Sequence, residues 1–90
     1  MNRYGARARE HWKRWLPTRY SQLDDPESFF TDLGEEVEAR IDELSQALAG
    51  SDPPGEGYLD KVGRLNMARF NAESDLMREM VLIEPEPGVE

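Results

Sequence analysis

The stretch NMARFNAESDLMRE, residues 66–79, spaces an amide, a guanidinium and a carboxylate three and four residues apart, at Asn66, Arg69 and Glu73. In a helix that spacing gathers all three on one side, inside the apolar arc of the segment rather than opposite it. Arg69 and Glu73 are expected to pair along the helix. Three readings of the line stand. It is the border between two packed neighbours, with the stem of Arg69 lying over Trp12 or Trp15; it is a buried network that fixes the register of a helix pair or of a dimer; or it is a binding site.

A second group of candidates opens the chain. Arg7, Lys13, Arg14 and Arg19 alternate with Trp12, Trp15 and Tyr20. Cations interleaved with aromatic rings are suited to phosphates and bases, so residues 3–19 are where nucleic acid could be contacted. Six basic residues against Glu10 give residues 1–20 a charge of +5, which leaves −13 for the rest of a chain whose net charge is −8. A basic head on an acidic body docks on something acidic: its own helices, a second copy or an external partner.

Other chemistry lacks its parts. His11 is the single histidine and there is no cysteine, which leaves no set of transition-metal ligands, no thiolate nucleophile and no disulfide. The acid-rich run DDPESFFTDLGEE misses the ligand spacing and central glycine of a calcium loop. No serine has a base set for it, and the glycines form no phosphate loop. No enzyme, cofactor or metal is expected. Mean hydropathy of −0.78, with 33% charged residues, gives no apolar run near the ~18 residues of a membrane span. The N-terminal residues lack the apolar core of a secretory signal, so a cytoplasmic setting is expected by default.

Three helices must position these residues. The first is predicted over 4–16, halted by Pro17, with a single helical turn around Tyr20 and Leu23 to follow. Asp25 and Pro26 are suited to cap and start the second, over 26–49, which ends at Gly50. Its apolar residues Phe30, Leu33, Val37, Ile41, Leu44 and Leu48 recur every three or four positions. Gly34 is its weak point, since Asp32 and Glu35 offer a second start. Residues 50–57 form a linker rich in proline and glycine, the third helix covers 58–82, and 83–90 is a flexible acidic tail.

The third helix carries two apolar stripes, one of Tyr58, Val62, Leu65, Ala72, Leu76 and Met80, the other of Leu59, Phe70, Met77 and Val81. So broad an arc requires two neighbours. The fold expected is all-α: a three-helix bundle on a long antiparallel hairpin, with the first helix packed across it. Ninety residues bury little surface, so a homodimer is also expected. The predicted core is Trp12, Trp15, Phe30, Leu33, Val37, Ile41, Leu44, Leu65, Leu76 and Met80.

The segment NMARFNAESDLMREM resembles the C-terminal part of the transposon-encoded TnpV family, in which Asn-x-x-Arg-x-x-Ala-Glu precedes Arg-Glu. Here those positions are Asn66, Arg69, Ala72, Glu73, Arg78 and Glu79. The opening RYGARAREHWKRWLPTRY is similar to the family's Arg-Tyr-Gly start at Arg3, Tyr4 and Gly5, with looser basic spacing beyond. The likeness runs over about residues 3–82. It implies a mobile genetic element as the setting and carries no catalytic residue. The reading reached is a non-enzymatic helical accessory or regulatory protein that acts by protein–protein contact. The alternatives are an acidic mimic of DNA through residues 24–43 and a DNA-binding regulator that uses the basic head.

Overall fold

Asn2 starts the first helix by accepting a hydrogen bond from the Gly5 N–H (3.0 Å), which relieves one of the donors that a helix start leaves unpaired. In the computed structural model, which describes residues 1–89, α1 then runs over Arg3–Trp15. Pro17 stops it and opens a separate five-residue helix, α2 (Pro17–Ser21). α3 (Pro26–Ala49) begins where predicted, its Asp25 carboxylate accepting from the Ser28 N–H at 3.1 Å, and ends at Gly50 with φ +64°. α4 (Tyr58–Leu76) follows the linker and passes without a break into a π-helical turn, Met77–Val81. The chain is all-α, with no strand among the described residues.

α3 does not break at Gly34. That glycine is where α1 crosses it. A methyl on Gly34 would strike the Asn2 side chain and the Gly5 nitrogen, and one on Gly5 would strike the Phe30 carbonyl. Asn2 seals the crossing by donating to the Gly34 carbonyl at 2.9 Å. The helix-propensity loss at Gly34, about 1 kcal/mol, is therefore offset by the close approach it allows.

The core lies at one end. Tyr4, Ala8, Trp12 and Leu16 meet Phe30, Val37 and Ile41 of α3 and Ala72, Leu76 and Val81 of the last helix. Trp12 packs edge-on to Phe30 with ring centres 5.5 Å apart, and Tyr20 stacks on Phe30 at 6.0 Å. Of the ten predicted core residues, Trp12, Phe30, Val37, Ile41 and Leu76 are buried, while Trp15, Leu33, Leu44 and Met80 are half-buried. Leu65 is exposed, against expectation. It continues the buried stripe of α4, but no third helix reaches that level.

α3 packs against α1 on one stretch and against α4 on another, and α1 meets the π turn. Polar contacts run in opposite order along α3 and α4: Asp42 faces Arg69, and Ala49 faces Arg64. α1 has 13 residues and α3 has 24, or about 20 and 36 Å of helix, so the shorter covers only part of the longer. The molecule is accordingly long, 54 × 26 × 16 Å. Its radius of gyration, 16.6 Å, exceeds the ~12 Å of a compact chain of this length.

Candidate functional site

The start of α1 and the end of α4 build one polar node. Tyr4, buried, donates its hydroxyl to Glu73 Oε2 (3.3 Å). Arg3 donates to the Tyr4 oxygen (2.7 Å) and to the same carboxylate (3.2 Å), with its guanidinium 4.8 Å above the Tyr4 ring. The tyrosine hydroxyl above all, then the Glu73 charge, raise the Arg3 pKa above its ordinary value. A groove of about 450 Å³ opens beside the node, lined by Arg3, Tyr4, Ala6, Arg7, Glu10, Glu73 and Met77. Arg7 stands exposed at its lip with no ion-pair partner among the described residues. With Arg3 and the exposed Arg7 on its lining, the groove is suited to holding a polar or anionic group of another molecule.

The polar line of α4 divides three ways. Arg69 does not pair with Glu73. It reaches across to Asp42 of α3 (2.5 Å), a contact that raises its pKa. Glu73 lies one turn further on, at the level of α1, and Arg3 with Tyr4 takes it. The stem of Arg69 is not on a tryptophan either. Those rings carry nearer cations, Arg19 above Trp12 (4.9 Å) and Arg14 above Trp15 (5.0 Å). Asn66 is exposed, and its side chain has no hydrogen bond among the described residues.

The basic head is largely engaged with its own chain. Arg9 bridges Tyr20 (3.4 Å) and Glu27 (3.2 Å), and the hydroxyl of Tyr20 is the main cause of its raised pKa. Lys13 lies 3.8 Å from Glu10 and 5.9 Å from the Tyr20 ring centre. Arg7, Lys13, Arg14 and Arg19 still present charge to solvent.

Residues 83–89 lie over the head. The break between α1 and α2 leaves the Trp15 carbonyl and the Arg19 N–H without helical partners. Glu86 supplies both: its N–H donates to the Trp15 oxygen and its carboxylate accepts from the Arg19 N–H, each at 2.9 Å. His11 donates from Nε2 to the Ile83 carbonyl at 2.7 Å. A carbonyl only accepts, so that nitrogen carries the proton. His11 thereby anchors the tail to α1.

Arg64 is the residue that the sequence reading missed. Its Nε and Nη2 fork onto Glu56 (2.8 and 3.1 Å), Nη2 also meets Asp52 (2.7 Å), and Nη1 donates to the Ala49 carbonyl at the end of α3. Glu56, 10% exposed at its side chain, is the main cause of the raised Arg64 pKa. Lys61 adds a 2.6 Å bond to Asp52, whose carboxyl is held below its ordinary pKa by Lys61 first and Arg64 second. The signal was legible. Two cations sit in the opening turns of a helix, the end that favours acids, and the preceding linker carries the acids that answer them.

No helix is long and apolar enough to cross a membrane, and no group of three or more metal-ligating residues occurs, among the described residues. No family model, curated protein or solved structure matches this chain.

Proposed function

We propose that this protein is a non-enzymatic accessory or regulatory protein of a mobile genetic element and acts by protein–protein contact, on an antiparallel helical hairpin braced by α1. The observation that carries the contact reading is the outer side of α4, where Leu59, Met67 and Phe70 stand in solvent. Large apolar side chains grouped on one helix face mark interaction surfaces. The mobile-element setting rests on the TnpV-like resemblance. It is supported by the meeting of the two segments that carry it, Arg3 and Tyr4 against Glu73. A cytoplasmic setting belongs to the same proposal.

The exposed acids Glu35, Glu36, Glu38 and Glu43 of α3 favour one second reading, a mimic of DNA phosphates. Photo-crosslinking in cells that carry the element separates the two. A reactive residue at position 67 is expected to give protein adducts, and one at position 36 none. Adducts from position 36 alone, with release of a DNA-bound protein, would replace the contact reading by the mimic. A shift of duplex DNA at moderate salt would instead favour the basic head.

A further inference from the structure

The outer face of α4 is complementary to itself. At 100° per residue, Leu59, Gly63, Asn66, Phe70 and Ser74 fall within an arc of about 80°, with Met67 at its edge. All six are exposed, Leu59 to 80%, Phe70 to 67% and Met67 to 60%. Large and small residues alternate along this strip. A methyl built on Gly63 meets nothing, in contrast to Gly5 and Gly34, where a crossing helix fills the space. Gly63 therefore weakens α4 for no reason inside the chain. Beyond Phe70 the strip opens into a groove of about 370 Å³ lined by Phe70, Glu73, Ser74, Met77, Arg78 and Leu82.

These features are symmetric about one point. Gly63 and Phe70 are equidistant from the midpoint between Asn66 and Met67, and so are Leu59 and Ser74. That midpoint lies next to Met67, the central residue of α4, Tyr58–Leu76. We propose that the occupant of this face is a second copy of the chain, its α4 antiparallel to the first across a two-fold axis at residues 66–67. A two-fold interface pairs residue i with j and j with i. Phe70 of each copy enters the space over Gly63 of the other, and Leu59 of each enters the groove at Ser74 of the other. Four fits are met by one operation. Asn66 of both copies lies beside the axis, where an amide donates and accepts and so pairs with its own image. A polar residue at such a position fixes register.

The area agrees. Leu59, Met67, Phe70 and part of Leu82 offer about 350–500 Å² of apolar surface per copy at roughly 100–150 Å² each. With the ~60% apolar share usual at interfaces, that is ~600–800 Å² per copy, a dimer of small to ordinary size.

The inference rests on the contact reading of α4 and is tested on the full chain. Sedimentation from 5 to 200 µM is expected to show a monomer–dimer equilibrium. Phe70→Ala and Gly63→Leu each weaken it at least about tenfold, one by removing the knob and the other by filling the hole. The double variant G63F/F70A, which exchanges knob and hole on both copies, regains most of the loss. Because the chain lacks cysteine, Asn66→Cys alone reports the axis: it should oxidise to a disulfide-linked dimer, and Glu36→Cys should not. A monomer throughout, with crosslinks from position 67 to a different protein, overturns the second copy and leaves the contact reading standing. A monomer with no crosslink from position 67 overturns both. A dimer indifferent to positions 63 and 70 overturns this interface.

Discussion

The two ends of the molecule are built from the same helices and end up differently. Where α1, α2 and the tail surround α3 and the π turn, Phe30, Leu16, Val37, Ile41 and Val81 are fully buried. At the linker end, Leu48, Tyr58, Leu59, Leu65 and Phe70 continue the same periodic pattern and remain exposed. The difference is one of coverage, since α1 is too short to reach. Amphipathic spacing states which way a helix would bury a side chain and is silent on whether a neighbour is present to bury it.

The comparison breaks most directly at Phe30. Phe30→Ala should cost about 3–5 kcal/mol in a urea titration, whereas Leu65→Ala, one helix away but exposed, should cost below ~1 kcal/mol. Similar losses at both sites would mean that the linker end is packed too. The two glycines should differ in sign. Gly34→Ala drives a methyl into Asn2 and the Gly5 backbone and should cost about 1–3 kcal/mol, while Gly63→Ala at micromolar concentration should gain up to ~1 kcal/mol of helix propensity.

Acid should loosen the linker end before the packed end. The Asp52 carboxyl has a folded pKa below its unfolded value. Its contribution is therefore complete above the unfolded value, about 4, and is lost as pH falls through the lower folded value. Amide exchange over residues 50–60 should rise as pH falls below about 4, ahead of that in α1, and Asp52→Asn should remove this dependence. The smallest effect belongs to Arg69. Its bridge to Asp42 is solvent-exposed, so Arg69→Met should cost no more than ~1 kcal/mol. A larger loss would show that the pair holds α3 and α4 together.

Much of the fold was legible residue by residue. Asp25, Pro26 and Gly50 mark both ends of α3, and Pro17 marks the end of α1. The polar line was legible only as a set of side chains. Helical spacing gave Arg69 and Glu73 to each other because it counts only partners on the same helix. Asp42, Arg3 and Tyr4 compete from 27 to 70 positions away in the chain. The tail escaped notice for a related reason: its acidic, proline-rich composition says nothing of the two backbone groups that the α1–α2 break leaves open.

The Arg64 clamp also has a consequence in time. Its bonds span 8 to 15 residues, so α3, linker and α4 can close on one another through short loops. α1 meets the start of α3 across 18 residues, through Arg9 and Glu27, but its bonds from Asn2, Tyr4 and His11 span 32 to 72 residues. Loops that short close sooner and at a smaller entropic cost. The α3–α4 contact is therefore expected to form early, and α1, the first helix to be synthesised, is secured at Asn2, Tyr4 and His11 only later. Until Glu73 and Glu86 have been made, the Tyr4 hydroxyl has no acceptor and the Trp15 carbonyl no donor, so the two ends of the first helix are fastened only by the last residues of the chain.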